Sequence, residues 1–249
     1  MRGRTGDAET APGGEPAVPG ARLLELVKVM DTLRVNCPWD ARQTHASLTP
    51  YLLEETYEAV DALAAEDHAA VREELGDVLL QVMFHARVAQ ERTDGTGYDI
   101  DDVADAIISK LTRRHPHVFG DVTVSGPDEV TQNWDAIKAA ERAAARAESG
   151  AAGESAGPVS ALEGVPLSQP ALSLAAQLLR RAEKAGVPAD LAEHPADQVA
   201  GQAEVSEIGR ELLAIVGRAR AADLDPELEL RAAALAYAER VRSWESGAS

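Results

Sequence analysis

The chain has 249 residues, which is enough for one or two domains of ordinary size. Its formal charge of −18 argues against binding to a nucleic-acid polymer, because such affinity comes mainly from Lys and Arg side chains that neutralise phosphates. Aromatic residues make up only 4% of the sequence and alanine is abundant, so we expect an all-α fold of closely packed helices.

The predicted elements begin after a polar tail. Residues 1–20 contain almost no large apolar side chains, which predicts a disordered N-terminal segment. Apolar residues at helical spacing predict a helix over residues 23–33, and the segment Asn36–Trp39 ends it. The next helix is expected to begin at Ser47–Pro50, where a hydroxyl can cap the first turn, and to end near Ala65. Further helices are predicted over residues 69–91, 100–114 and 128–146.

A change of composition divides the chain. The sequence between Ala143 and Pro158 lacks large apolar residues, which is typical of a linker. We therefore predict a first helical domain over residues 21–146, a flexible linker over 147–159 and a second helical domain over 160–249. The second domain weakly repeats the first, since the segments align in register at residues 74–80 and 207–213.

The sequence also suggests where the protein resides. The single cysteine, Cys37, cannot form an internal disulfide or a multi-cysteine zinc site. No run approaches the ~20 apolar residues that a membrane span needs, and residues 1–20 lack the apolar stretch of a signal peptide. We expect a cytoplasmic protein without a membrane partner, in which Cys37 and His45 are structural residues.

Two pairs of carboxylates are the candidates for chemistry. Glu55 and Glu58 lie three residues apart on one predicted helix, and Glu74 and Asp77 lie three apart on the next. Each pair projects from one helix face, and two helices joined by a short turn would be antiparallel neighbours. The four carboxylates can then converge on one point, where hard oxygen ligands without cysteine suit Mg²⁺, or alternatively Mn²⁺.

An alternative interpretation of these pairs stays open, because acidic helix faces are usually only solvated. In favour of a site, Glu74, Asp77, Gln81 and His85 form a continuous polar stripe beside the apolar stripe of the same helix. Helical di-iron sites typically use Glu-x-x-His pairs, whereas the residues that correspond to the histidines here are Glu58 and Asp77. Redox metals are therefore disfavoured.

The segment Lys110–His117 is a candidate phosphate clamp, because five of its eight side chains are cationic or can become so. Arg binds phosphate oxygens with a planar fork and Lys binds them as a point charge. Alternatively, these side chains only complement a helix C-terminus. Trp39 and Trp134 could stack on a base, although a lone Trp is more often a core residue, and Lys138 follows Trp134 by one turn.

Four segments together closely resemble the MazG family of nucleoside triphosphate pyrophosphohydrolases. They are CPWDARQTHASLTPYLLEETYEAVDAL, REELGDVLLQVMFHARVA, SKLTRRHPHVFGD and NWDAIKAAER, within a match over about residues 22–145. The resemblance implies an all-α helical bundle of the all-α NTP pyrophosphohydrolase type. It also implies hydrolysis of nucleoside triphosphates to monophosphate and pyrophosphate, a homodimer, and nucleotide-pool housecleaning.

The resemblance also implies roles for individual residues. The metal ligands correspond to Glu55, Glu58, Glu74 and Asp77. Glu54 and Glu73 correspond to nucleotide contacts, and we expect one of them, Glu54 or Glu73, to orient the attacking water. The substrate-binding residues correspond to Lys110, Arg113, Arg114, Trp134 and Lys138.

The second half resembles the family's C-terminal repeat, but it differs from the first half at a position that corresponds to a metal ligand. Arg210 stands at the position of Asp77, and a cation there opposes Mg²⁺ binding. We therefore expect a degenerate, non-catalytic MazG-like repeat. An alternative hypothesis for the whole chain is that it is a non-catalytic helical oligomerisation or interaction protein. Mg²⁺-dependent nucleotide turnover would distinguish an enzyme from such a protein.

Overall fold

The structure is a computed structural model that describes residues 18–148, 160–188, 191 and 205–247. Every regular element in these residues is helical, which confirms the predicted all-α class. The chain divides into two compact units with the boundary between Arg142 and Ala143. Most of the predicted tail, residues 1–17, and most of the predicted linker, residues 149–159, lie outside the described residues.

Residues 18–148, as the structure describes them, contain six α-helices and one short 3₁₀ turn at Asp40–Arg42. The helices are α1 (Ala21–Asn36), α2 (His45–Ala64), α3 (His68–Ala89), α4 (Ile100–Arg114), α5 (Pro116–Phe119) and α6 (Pro127–Glu148), which continues past the end of the first unit. The most extensive contact joins α2 to α3, and α3 also contacts α1 and α4.

The second unit contains α7 (Ala171–Lys184), α8 (Glu207–Ala221) and α9 (Pro226–Glu245), and each of these helices contacts the other two. Ser206 caps α8 by accepting a hydrogen bond from the Gly209 N–H at 3.1 Å. No helix in the described ranges combines the length and the apolar character that a membrane span requires.

Both helices of the α2–α3 hairpin bury small side chains. Ala59 and Ala62 are buried on α2, and Ala86 and Ala89 are buried on α3. The three-residue connection includes Glu66 in the left-handed region, at φ 55°, where a non-glycine residue is uncommon. The hairpin therefore places the carboxylate pairs of the two helices side by side.

The core of this unit lies between α1, α2 and α3. Its buried centre consists of Met30, Leu48, Met83 and Phe84. Leu26, Val27, Leu79, Leu80, Val88 and Ile100 pack around that centre. The core therefore holds the C-terminal half of α3 and the N-terminal end of α2.

The predicted start of α2, at Ser47–Pro50, was too late by two to five residues. Thr44 is the N-cap, and its hydroxyl accepts from the Ser47 N–H at 3.2 Å while the Ser47 hydroxyl accepts from the Thr44 N–H at 2.9 Å. This reciprocal capping box satisfies two backbone donors, so the helix begins at His45. Pro50 consequently lies inside the helix.

The predicted end of the first helical domain also differs from the structure. Helix α6 extends to Glu148, so residues 147 and 148 of the predicted linker are helical.

A buried arginine ties α1 to the end of α3. The Arg34 side chain is 8% exposed and donates two hydrogen bonds to Glu91, at 2.8 and 2.7 Å. Its third nitrogen donates to the carbonyls of Asp40 and Gln43. Arg34 therefore fixes the segment that leads into α2.

Arg34→Met should lower the free energy of unfolding by about 2 kcal/mol or more, because it removes the buried guanidinium that donates to the carbonyls of Asp40 and Gln43 and to the Glu91 carboxylate. Urea denaturation followed by circular dichroism measures the change. Arg22→Met is the matched control, since the Arg22 side chain is 89% exposed and pairs with Glu25 of the same helix. The control should cost under about 0.5 kcal/mol, and an equal cost for both variants would contradict the proposed importance of the Arg34 contacts.

Candidate active site

Three carboxylates converge across the α2–α3 hairpin. Oxygen atoms of Glu55, Glu58 and Glu74 all lie within 4.8 Å of one another. Glu55 and Glu74 are partly buried, and Glu58 is exposed. Spacings of three residues place Glu55 and Glu58 on one face of α2, so both reach the side chain from α3. Within the described part of the chain, this is the one such group of potential metal ligands.

Asp77 lies beside this group rather than inside it. Its charge acts on both Glu55 and Glu74, but its oxygens are outside the 4.8 Å group. The structure thus brings together three of the four predicted ligands and places the fourth next to them. Glu54 and Glu73, the predicted water-orienting residues, precede Glu55 and Glu74 and are exposed.

The cluster carries unbalanced negative charge. Burial is the largest cause that raises the pKa of Glu55, followed by the charges of Asp77 and Glu58. Burial also raises the pKa of Glu74 most, followed by the charges of Glu58 and Asp77. Like charges held this close favour protonation or a cation. A divalent cation with a preference for oxygen ligands therefore fits these residues.

The predicted phosphate-binding residues form a second cluster at the C-terminal end of α4. The Trp134 ring meets His115 edge-on with centroids 5.1 Å apart, and the Lys138 ammonium lies 5.8 Å from the Trp134 ring centroid. Lys110 is exposed one turn before Arg114. Trp39 instead packs against Tyr51, with ring centroids 5.9 Å apart.

Both arginines of this cluster bind one carboxylate that the sequence did not single out. Arg114 reaches Glu141 at 2.6 Å, and Arg113 reaches it at 2.7 Å. Glu141 lies on α6, 27 residues beyond Arg114, so no local pattern reveals the contact. Glu141 therefore holds the two guanidinium groups in fixed positions beside Trp134.

A histidine pair was also missed as a unit. The Nδ1 atoms of His45 and His85 are 2.8 Å apart, and the rings stack with an interplanar angle of 10°. From the sequence, His85 belongs to the polar stripe of α3 and His45 is expected to be a structural residue. The pair joins α2 to α3 across 40 residues of sequence.

Comparisons with known proteins show which family the chain belongs to. Residues 43–119, which carry both carboxylate pairs and the whole basic segment Lys110–His117, match the MazG nucleotide pyrophosphohydrolase domain. The chain is 37% identical over 239 residues to the nucleoside triphosphate pyrophosphohydrolase/pyrophosphatase MazG of Thermotoga maritima, covering 91% of this chain and 86% of that protein. The chain belongs to the MazG family.

This chain covers different shares of its other relatives. It is 45% identical over 239 residues to an uncharacterized 26.1 kDa protein of Streptomyces cacaoi, covering 96% of this chain and 88% of that protein. It is 41% identical over 229 residues to the nucleoside triphosphate pyrophosphohydrolase of Mycolicibacterium smegmatis, covering 92% of this chain but only 60% of that protein. A solved MazG-related protein from Thermotoga maritima has 25% identity and a TM-score of 0.41, with 46% of this chain and 97% of that chain covered.

The ion pairs of Glu141 with Arg113 and Arg114 predict that the stability of the fold depends on pH. Hydrogen bonds from Arg114 and then Arg113 lower the pKa of Glu141 from 4.5 to about 2. A carboxylate with a lowered pKa stabilises the folded state above its unfolded pKa, and this stabilisation is lost as the pH falls through the folded value. Glu141→Gln should therefore lower the free energy of unfolding most at pH 7, and the difference should shrink between about pH 4.5 and 2.

Urea denaturation of wild type and Glu141→Gln at pH 7, 5, 4 and 3 measures this difference. Asp105→Asn is the control, because it removes an exposed carboxylate from α4 without touching the Glu141 contacts. A Glu141 effect that stays constant from pH 7 to 3 would show that the ion pairs are not its source.

Proposed function

We propose that this chain hydrolyses nucleoside triphosphates to nucleoside monophosphate and pyrophosphate, with Mg²⁺ as the metal and Mn²⁺ as an alternative. The convergence of Glu55, Glu58 and Glu74 within 4.8 Å supports this function. The names of the mycobacterial and Thermotoga maritima relatives support the substrate class. Because the chain spans 60% of the mycobacterial relative, the activity is proposed for this chain on its own residues.

The carboxylates and the basic cluster take different parts in the proposed reaction. Glu55, Glu58, Glu74 and Asp77 would hold the metal, which when bound supplies positive charge against the triphosphate and lowers the pKa of water. Glu54 or Glu73 orients the attacking water and accepts its proton. As water bonds to phosphorus, the bond between the α- and β-phosphates breaks.

The departing pyrophosphate carries developing negative charge. Lys110 and Arg114 are the proposed cations that meet this charge, and Arg113 adds to the same surface. Fixed donors stabilise a transition state better than mobile ones, because they need no rearrangement as the charge develops. The contacts of both arginines with Glu141 supply such fixation. Trp134 and Lys138 lie beside them and are the proposed further contacts to the nucleotide.

The test is a panel of standard, deoxy and damaged nucleoside triphosphates, each assayed for monophosphate release with Mg²⁺, with Mn²⁺ and with EDTA. We expect turnover that requires a divalent cation. A marked preference for non-standard triphosphates would support the proposed housecleaning role. Absence of metal-dependent turnover with every substrate would favour the non-catalytic oligomerisation alternative.

We further propose a homodimer in the cytoplasm. Exposed apolar side chains on α4 support an association surface, since Ile107 is 45%, Ile108 57% and Leu111 47% exposed. Light scattering of the purified chain measures the oligomeric state. The cytoplasmic location is supported by the single cysteine alone.

The second unit is proposed to be non-catalytic. Arg210 occupies the position that corresponds to Asp77, and it lies in the first turn of α8. We expect a fragment that ends near Ala147 to retain hydrolysis and a fragment that begins at Ser160 to have none, both assayed with Mg²⁺ after their helical content has been verified. Turnover by the second fragment would contradict this assignment.

A further inference from the structure

An open groove of about 280 Å³ lies in the first unit and is lined by residues of the same α2–α3 hairpin that carries the carboxylates and by residues near the start of α4. Its wall is mainly apolar, with one histidine and one tyrosine as polar members. The lining residues are Leu52 from α2, Val82, His85 and Ala86 from α3, Tyr98 before α4, and Val103 from α4. A concave apolar surface with few polar groups is typical of a small-molecule site.

The groove continues along the same helices that carry the carboxylates. Leu52 precedes Glu55 by three residues, which is about 4.5 Å along α2, and His85 follows Asp77 by eight residues, which is about 12 Å along α3. Because the two helices form a hairpin, both displacements run toward the same end. The groove therefore lies on the side of the carboxylates that faces away from the hairpin turn.

His85 is held in one orientation and keeps one ring nitrogen unused. Its Nδ1 shares a hydrogen bond with the His45 Nδ1 at 2.8 Å, while its Nε2 is buried without a hydrogen-bond partner in the described structure. Burial, and then the nearby His45, lower the pKa of His85, so the neutral ring is favoured. A buried polar atom without a partner is unfavourable unless a ligand satisfies it.

Gln81 extends this polar path toward the carboxylates. It lies one turn before His85 on α3, is 5% exposed, and its Oε1 also has no hydrogen-bond partner in the described ranges. The path thus runs from the carboxylates through Gln81 to His85 on one helix face. Of the two residues, His85 is the one that lines the groove.

We propose that the groove binds the nucleobase of the triphosphate and that the Nε2 edge of His85 recognises a polar group on that base. The proposal rests on the proposed function and specifies its substrate contacts. Leu52, Val82 and Val103 cover the apolar faces of the base, and His85 supplies the hydrogen bond. His45 is a positioning residue, because it fixes the His85 ring without lining the groove.

The experiment compares base discrimination in wild type, His85→Leu and His85→Gln. His85→Leu removes the ring nitrogens, whereas the amide of His85→Gln can restore a hydrogen bond near the Nε2 position. The matched control is His68→Gln, an exposed histidine in the first turn of α3. The substrates are ATP, GTP, CTP, UTP and ribose 5′-triphosphate, which has no base.

His85→Leu should reduce the ratio of kcat/KM between the best and worst bases by about tenfold, the effect of losing one specific polar contact. Its kcat/KM for ribose 5′-triphosphate should stay within about twofold of wild type. His85→Gln should recover part of the discrimination, and His68→Gln should keep all of it. An equal loss on all five substrates, or full discrimination in His85→Leu, would overturn the proposal.

A binding measurement separates this inference from the proposed reaction. The His85 ring nitrogens are labelled with ¹⁵N, assigned by their absence in His85→Gln, and followed by NMR during titration with each triphosphate in Ca²⁺. The Nε2 signal should shift with base-containing triphosphates but not with ribose 5′-triphosphate. Turnover without a base-dependent shift would refute the groove assignment alone. A base-dependent shift without turnover would refute the proposed reaction and support the groove.

Discussion

Glu58→Gln should lower kcat/KM for a nucleoside triphosphate by about 100-fold or more at saturating Mg²⁺. Loss of a residue that only supports a metal ligand typically costs 10- to 100-fold, and Glu58 is proposed to be a direct ligand. Its carboxylate lies with those of Glu55 and Glu74 within 4.8 Å. The amide keeps the size of the side chain but removes one negative charge, so the metal should bind more weakly.

Asp77→Asn should have a similar effect if the carboxylate beside the group also binds the metal. Glu25→Gln on α1 is the matched control, since it makes the same chemical change at an exposed carboxylate of another helix. Steady-state kinetics over a range of Mg²⁺ concentrations measure the effect. Activity within about threefold of wild type in both variants would contradict the ligand assignment.

The same substitutions should not destabilise the metal-free protein. The charge of Glu58 raises the pKa values of Glu55 and Glu74, which shows that the folded state holds these charges unfavourably at neutral pH. Removal of one charge relieves this repulsion. Thermal unfolding in EDTA should therefore give a Tm for Glu58→Gln equal to or above that of wild type, and a large loss of activity would then reflect the site and not the fold.

Local patterns in the sequence predicted most of the fold. The periodicity of apolar residues gave α4 its observed bounds, Ile100–Arg114, and Asp99 reinforces that start with its own capping box. The start of α2 was misplaced because Thr49-Pro50 resembles a helix beginning. The observed N-cap, Thr44, depends on reciprocal hydrogen bonds with Ser47. The sequence alone does not show which of several nearby Ser and Thr residues caps the helix.

The site was predictable where it depends on spacing within a helix and on the resemblance to the MazG family. Three-residue spacing put the carboxylates on the correct faces, and a short connection put α2 beside α3. Contacts between distant segments were not predictable. Arg114 meets Glu141 across 27 residues and His45 meets His85 across 40, and each contact depends on how the helices pack, which no local periodicity encodes.

The identity of the reaction products tests which phosphate bond is broken. Lys110 is exposed on α4 one turn before Arg114, whose guanidinium is held by Glu141. If metal neutralises the inner phosphates and these cations meet the outer ones, charge developing on pyrophosphate is stabilised and the bond between the α- and β-phosphates is the one that breaks. The primary products should then be nucleoside monophosphate and pyrophosphate.

Lys110→Ala should lower kcat by about 100-fold, as expected for loss of one donor to a developing anion, while the Mg²⁺ concentration at half-maximal activity stays close to that of wild type. Lys28→Ala, an exposed lysine on α1, is the control and should leave both values unchanged. Phosphorus NMR of the reaction identifies the products directly. Appearance of nucleoside diphosphate and orthophosphate as primary products would refute this chemistry, and an altered Mg²⁺ requirement in Lys110→Ala would place the lysine in the metal site instead of on the pyrophosphate.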